Sequence, residues 1–119
     1  MTRWWTRCSR IKWFLENIDV NLKPTIKKQN NEILEQISWD PLGVVLNISA
    51  WNFPYFIGSN VFIPALLTGN AVLYKPSEIC PFTGLRILEL LIRAGLPKDL
   101  FQTFIGRGDI GQALLDLPV

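Results

Sequence analysis

The fold is decided by residues 42–75, which read LGVVLNISAWNFPYFIGSNVFIPALLTGNAVLYK. Two short apolar runs rich in β-branched residues, Leu42–Ile48 and Ala71–Lys75, enclose a longer apolar segment that starts at Pro54 and stops before Gly69. Short runs of this kind favour strands, while the longer segment favours a helix with proline in its first turn and glycine after its end. The stretch therefore predicts a strand, a helix and a second strand.

The same alternation continues toward the carboxyl terminus. Pro81 opens a second helical pattern that ends at Gly95, and Leu100–Ile105 and Ile110–Asp116 follow as a third strand and a third helix. Strands that alternate with helices predict βαβ units, and therefore a parallel sheet. We expect an α/β fold, a partial Rossmann-like sheet of three βα units.

The amino-terminal part has a different pattern. Residues 9–22 carry an apolar stripe at helical spacing and predict an amphipathic helix, and residues 23–31 (KPTIKKQNN) are interpreted as a polar connection. Ile33–Trp39 alternates apolar and polar residues, as expected of a short edge strand or ribbon. The expected division is a helix and β-ribbon segment at 1–40, followed by the sheet at 41–119.

Composition excludes several kinds of site. The 119 residues are 49% hydrophobic and include no histidine, so Ser-His-Asp catalysis, Cys-His catalysis and histidine-based zinc sites are excluded. The two cysteines, Cys8 and Cys80, are too few for a zinc site or a disulfide scaffold, and we expect both to be reduced and structural. No metal is expected.

Charge is distributed unevenly. Residues 1–28 hold seven basic and two acidic side chains, a balance of +5, whereas residues 29–119 hold five basic and eight acidic ones, a balance of −3. The basic segment with Trp4, Trp5 and Trp13 allows a nucleic-acid interpretation, but a solvated helix with one aromatic face is favoured. We expect no nucleic-acid partner.

A membrane span and a secretory signal are also considered. Residues 41–74 carry no charge, yet prolines and asparagines interrupt them before a span of about 20 apolar residues can form. The basic start is followed by Glu16 and Asp19 instead of a long apolar region. The expected location is cytoplasmic, without a membrane partner.

Ligands of parallel α/β sheets bind at the carboxyl ends of the strands, so the residues after each predicted strand are the candidates for a site. Lys75 offers donors to hydroxyls or phosphate, and Glu78 offers acceptors that suit a vicinal diol; the alternative is a weak surface ion pair. Asn52 is either an amide donor to a developing oxyanion or a helix cap.

The third strand end carries a glycine pattern. Residues 106–111 (GRGDIG) match G-x-G-x-x-G after a predicted strand and before a predicted helix, which would let a phosphate approach the backbone. The alternative is a glycine-rich turn without a ligand.

Several short motifs follow one another in order. They are Pro41–Val45 (PLGVV), Ala50–Pro54 (AWNFP), Pro64–Asn70 (PALLTGN) and Lys75–Glu78 (KPSE), continued by Ala94–Pro97 (AGLP) and Gly106-x-Gly108. In residue type, order and spacing they closely resemble the NAD(P)-dependent aldehyde dehydrogenases, most of all the succinate-semialdehyde branch and related branches. The one departure is Ala50, where the family usually has proline.

The resemblance implies a role for each matching residue. Asn52 is similar to the family's oxyanion-stabilising asparagine, and Lys75, Ser77 and Glu78 stand in the segment that contacts the adenosine ribose. The other implied cofactor contacts are Ile48, Ser49, Ala50 and Trp51 beside the nicotinamide and its ribose, and Gly108 and Asp109 near the adenine. The expected cofactor is NAD in preference to NADP, bound by a partial NAD(P)-binding domain at 41–119.

The resemblance also implies what to expect of the function. The family's catalytic cysteine and general-base glutamate belong to later motifs, so neither Cys80 nor Glu78 takes those roles. We expect a truncated or fragmentary aldehyde dehydrogenase, inactive as these residues alone, whose complete form oxidises a small aldehyde to an acid as a homo-oligomer. The alternative is a non-catalytic nucleotide-binding or interaction module, or the product of a decayed gene; the coding sequence after codon 119 would discriminate between them.

Overall fold

The computed structural model describes residues 5–118, with side chains from residue 9 onward. The described chain contains, in order, α1 (Trp5–Asn21), β1 (Thr25–Gln29), β2 (Leu34–Ile37), β3 (Val44–Ile48), α2 (Phe56–Leu67), β4 (Ala71–Lys75), α3 (Pro81–Arg93), a 3₁₀ turn (Lys98–Leu100), β5 (Phe101–Thr103) and α4 (Gly108–Leu115). It forms two compact units that meet in sequence at Pro41 and Leu42. The expectations for Trp4 and for the side chains of Trp5 and Cys8 lie outside the described part.

The first unit consists of α1 and an antiparallel ribbon of β1 and β2. The interpretation of residues 23–31 as a connection was wrong, because Thr25–Gln29 pairs with Leu34–Ile37. The turn between them is closed by Asn30, whose side-chain oxygen accepts hydrogen bonds from the backbone N–H groups of Glu32 and Ile33 at 3.0 and 2.7 Å. Backbone pairing and this turn, not burial, define the ribbon, since every residue of both strands is exposed.

The second unit contains a parallel sheet in the order β3-β4-β5. Val72 of the central strand pairs with Val45 on one side and with Phe101 on the other. Gly69 supplies the positive φ of 83° that the turn between α2 and β4 requires, and Gly95 supplies 97° after α3. The α/β architecture with a helix and ribbon before the sheet is confirmed.

The core covers one face of this sheet. Phe62 of α2 and Ile87 of α3 pack with Val72, Tyr74 and Phe101 of the strands. The Phe62 ring lies edge-on to the rings of Tyr74 and Phe101, at centroid distances of 5.5 and 5.2 Å. Because successive strand residues face opposite sides, Lys75 points to the other face of the sheet, where α4 lies.

The boundaries of several elements differ from the sequence prediction, among them those of α2, β5 and α4. Pro54 was expected in the first turn of α2, but the helix begins at Phe56, because Phe53 closes a preceding turn in which its carbonyl accepts the N–H groups of Phe56 and Ile57. The third strand is shorter than Leu100–Ile105, since Leu100 belongs to the 3₁₀ turn and β5 ends at Thr103. The last helix begins two residues before Ile110.

Two searches of the described residues gave negative findings. Between residues 5 and 118, no helix combines the length and the apolar character that crossing a bilayer requires. Within the same range, no group of three cysteine, aspartate or glutamate side chains is placed to hold a metal ion.

Candidate functional site

The predicted site residues that follow β3 and β4 meet at one edge of the sheet. Ile48 and Lys75 end their strands as register partners, and the backbone N–H of Ser49 donates to the carbonyl of Lys75 at 2.9 Å. This hydrogen bond extends the pairing by one residue beyond β3. The structure therefore brings the segment after β3 alongside the segment after β4, as the sequence predicted.

Lys75 is the most unusual side chain of this edge, because a lysine is rarely buried. It is 3% exposed, and its stem packs against α4 at Gly111, where an added Cβ would lie 3.5 Å from Cδ and from Cε. Its ammonium Nζ donates to the carbonyl of Pro76 at 3.4 Å and lies 3.8 Å from Oε2 of Glu78. Both contacts are long for a charged donor with three hydrogens.

Glu78 is the exposed partner of this pair, with 52% of its side chain accessible. The alternative interpretation of Lys75 and Glu78 as a surface ion pair is therefore right about the pairing and wrong about the surface. The pair thus joins a buried cation to a carboxylate that is half accessible to solvent.

Ser77, which stands between Lys75 and Glu78 in the sequence, is buried. Its hydroxyl accepts the backbone N–H of Ile79 at 3.3 Å, and its carbonyl accepts the N–H of Cys80 at 3.2 Å. These contacts shape the turn that leads into α3, which begins at Pro81 as predicted. Cys80 is a half-buried free thiol just before that helix.

Ser49 is buried on the core face of the sheet beside Tyr74. Burial raises the pKa of the Tyr74 phenol; the Ser49 hydroxyl opposes part of this rise, and Cys80 adds to it. Among the described residues, no group lies within hydrogen-bond geometry of the buried Ser49 hydroxyl.

Ala50, Trp51 and Asn52 form an exposed turn between β3 and α2. Asn52 does not cap α2, because the residue at the cap position is Tyr55. The helix-cap alternative for Asn52 is therefore wrong, and the residue stands in the exposed turn that follows β3.

The glycine pattern lies where β5 leads into α4. Gly108 is the first residue of α4, Asp109 follows it in the first turn, and both are exposed. A Cβ on Gly106 would overlap the Ile110 side chain, whereas a Cβ on Gly108 would have no atom of the described chain within 4 Å. Packing against Ile110 thus requires a glycine at position 106, whereas the space beside the backbone at Gly108 is open.

Two residues at this edge were not singled out in the sequence. Asn47 is a buried polar residue within β3, and its side-chain amide donates to the carbonyl of Gly58 in α2 at 2.9 Å. Gly58 in turn lies against Tyr74. The available signal was an asparagine inside an otherwise apolar strand, since such residues are depleted from strands.

Comparison with known proteins gives one consistent result. A model of the aldehyde dehydrogenase family matches residues 5–119. Betaine aldehyde dehydrogenase 2 of Rhizobium meliloti (strain 1021) is 46% identical over 79 residues, which are 66% of this chain and 16% of that relative. The betaine aldehyde dehydrogenase of Agrobacterium fabrum (strain C58 / ATCC 33970) is 49% identical over 78 residues, with the same two shares.

Solved structures show the same similarity. PnpE from Pseudomonas sp. WBC-3 matches with a TM-score of 0.82 and 33% identity, over 94% of this chain and 23% of that one. A mutant of the P. syringae indole-3-acetaldehyde dehydrogenase AldA, in complex with NAD+ and IAA, matches with a TM-score of 0.79 and 39% identity, over 86% and 21% of the two chains. The chain thus spans less than a quarter of each of these relatives and structures.

Proposed function

Since the chain belongs to the aldehyde dehydrogenase family, we propose that the carboxyl ends of β3, β4 and β5 bind NAD, and that the whole protein oxidises an aldehyde to a carboxylic acid. The observation that carries the proposal is the Lys75–Glu78 pair, a buried ammonium 3.8 Å from a half-exposed carboxylate. It lies at the edge where parallel sheets bind ligands. Two similar structures, those of PnpE and of AldA, were solved with this dinucleotide.

The residues present fit an adenosine ribose. The ammonium of Lys75 has three hydrogens, and its contacts of 3.4 and 3.8 Å leave room for shorter ones to ribose hydroxyls. The carboxylate of Glu78 accepts from a vicinal diol, with both oxygens available on its exposed side. The stem of Lys75 is buried and lies close to α4 at Gly111, which limits the positions that its ammonium can take.

The remaining contacts are assigned by position along the edge. We assign Ile48, Ser49, Ala50 and Trp51 to the nicotinamide side, and Ser77 to the turn that orients Glu78. Gly108 and Asp109 line the adenine side, where the backbone at Gly108 is open to approach. When bound, NAD supplies the acceptor for the hydride that leaves the substrate.

Asn52 performs the chemical task of this segment. Its side-chain amide donates a hydrogen bond to the substrate oxygen as negative charge develops there, and a donor held in place costs no reorganisation in that step. Asn52 stands in an exposed turn at the same edge as Lys75, which suits a group that meets substrate. The size of the aldehyde, and the branch of the family to which the protein belongs, stay predictions from the sequence.

Two further features belong to the proposal. We expect the whole protein to be a homo-oligomer that assembles through the exposed ribbon of β1 and β2. We also expect it in the cytoplasm, where the free thiol of Cys80 would stay reduced.

The proposal is tested by titrating the 119-residue chain with NAD and following binding by calorimetry. Lys75→Met keeps the buried stem and removes the charge, and we expect it to weaken binding by about tenfold or more. Glu89→Gln is the control, because Glu89 is an equally exposed carboxylate that pairs with Arg86 and Arg93 on α3, away from the strand ends. Equal NAD affinity of Lys75→Met and wild type would overturn the proposal.

A further inference from the structure

Asn47 connects the end of β3 to the beginning of α2. Its side chain is 4% exposed, and its Nδ2 donates to the carbonyl of Gly58 at 2.9 Å. Asn47 stands one residue before the end of β3, and Gly58 lies in the first turn of α2. A side-chain hydrogen bond therefore joins the two elements that flank the turn carrying Asn52.

The turn is held at both of its ends. At one end, the Ser49 N–H donates to the carbonyl of Lys75; at the other, the Phe53 carbonyl accepts from the N–H groups of Phe56 and Ile57. The Asn47–Gly58 bond fixes the distance between these ends, because it joins the strand directly to the helix. Ala50, Trp51 and Asn52 lie between the anchors and are exposed.

We infer that Asn47 is a positioning residue, which holds the turn of residues 49–55 so that the amide of Asn52 faces the reacting oxygen. The inference rests on the proposed function, because that function gives Asn52 its role. Asn47 itself touches no ligand, since it is buried between the sheet and α2. It acts by fixing the two ends of the turn through one amide and one carbonyl.

The experiment uses ¹H–¹⁵N spectra of the full chain, with the Trp51 indole and the Asn52 side-chain amide as reporters of the turn. Asn47→Leu has nearly the same shape without the donor, and we expect it to shift or broaden both reporters while signals of β5 and α4 stay in place. Asn47→Gln keeps an amide donor, and we expect it to restore the reporters in part. Unchanged reporters in Asn47→Leu would overturn the inference.

Asn70 provides the matched control. It is also a buried asparagine, and it binds Gly43, Ala65 and Thr68 at the opposite edge of the sheet. We expect Asn70→Leu to lower stability and to leave both reporters unchanged. An equal disturbance by Asn70→Leu would mean that the reporters follow stability alone, which contradicts a positioning role.

A measurement on the wild type covers the case in which Asn47→Leu does not fold. The side-chain amide of Asn47 should exchange its hydrogens at least about tenfold more slowly than that of Asn52, because it is buried and bonded. Equal exchange rates would contradict the Asn47–Gly58 bond. None of these readouts needs cofactor, so the spectra judge the role of Asn47 separately from the NAD titration that tests the proposed function.

Discussion

Gly58 and Tyr74 approach each other so closely that a Cβ on Gly58 would lie 2.9 Å from both Cε2 and Oη of the tyrosine. Real Cβ atoms do not come this near to a ring, so the first turn of α2 reaches β4 only because residue 58 has no side chain. Tyr74 is almost fully buried and contacts the rings of Phe62 and Phe101, so it cannot move away freely.

We expect Gly58→Ala to destabilise the chain by about 1–3 kcal/mol, the usual cost of overpacking a core. Combining it with Tyr74→Leu should restore part of that loss, because the two sites touch and their effects are coupled. Denaturant unfolding measures both. Gly108→Ala is the control, and its free energy of unfolding should stay within about 0.5 kcal/mol of wild type, since no described atom lies near its Cβ position. If the effects of Gly58→Ala and Tyr74→Leu simply add, the two residues are not in contact.

The raised pKa of Tyr74 predicts loss of stability in alkali. The folded chain favours the protonated phenol because the phenol is buried, while the unfolded chain ionises near the usual value of 10.0. The stabilising contribution is therefore complete below that value and is lost as the pH rises above it. Between about pH 9 and pH 11, the free energy of unfolding of Tyr74→Phe should therefore fall less than that of the wild type. Tyr55→Phe removes an exposed phenol instead, and its free energy of unfolding should follow that of the wild type. Parallel curves for Tyr74→Phe and wild type, measured by urea unfolding, would contradict this.

The proposed cofactor site should prefer NAD to NADP. The phosphate of NADP carries a charge of about −1.5 to −2 and would replace a hydroxyl that Glu78 accepts from. At about 4 Å and an effective dielectric of about 20, each unit of like charge costs about 4 kcal/mol. Because Glu78 is half exposed, solvent reduces this cost, and we expect NAD to bind more tightly than NADP by roughly one or two powers of ten. Calorimetric titration with each cofactor measures the ratio of the two dissociation constants.

Glu78→Gln should shift that ratio toward NADP, because it removes the repulsion and keeps an acceptor. Glu89→Gln alters a similarly exposed carboxylate on α3 and should leave the ratio unchanged. Equal affinity of the wild type for both cofactors, or the same shift in both variants, would show that Glu78 does not contact the ribose.

A polypeptide of these 119 residues should not oxidise aldehydes. The resemblance places the family's nucleophilic cysteine in a later motif, and Cys80 is a half-buried thiol just before α3. NADH absorbance with a panel of aldehydes is expected to stay at background. Turnover that disappears in Cys80→Ser or Cys8→Ser would assign the nucleophile to that cysteine instead.

The parallel sheet was predictable because its strands are short apolar runs bounded by glycine and proline. Strand β1 was missed for the opposite reason: Thr25–Gln29 (TIKKQ) is polar and wholly exposed, so no burial pattern marks it, and its pairing depends on the turn at Asn30. The start of α2 was misplaced because the preceding turn uses the Phe53 carbonyl, a backbone contact that residue types do not encode.

For the candidate site, the order of the strands brought the ends of β3 and β4 together as predicted. The burial of Lys75 was not predictable, since a lysine at the end of a strand is usually solvated, whereas this one lies close to α4 in the tertiary fold. The buried bond from Asn47 to Gly58 was missed because it joins a strand to a helix through the tertiary fold.

Three successive residues at the end of β4 each meet a glycine of a different helix. Gly58 of α2 lies against Tyr74, Gly111 of α4 lies against Lys75, and a Cβ on Gly84 of α3 would overlap the ring of Pro76. Substitutions at the two close contacts, Gly58 with Tyr74 and Gly84 with Pro76, should therefore be inherited in pairs, with a bulkier helix residue opposite a smaller partner, whereas the 3.5 Å at Gly111 is an ordinary contact. A library built to alter cofactor choice at residues 75–78 should therefore vary residue 84 together with residue 76.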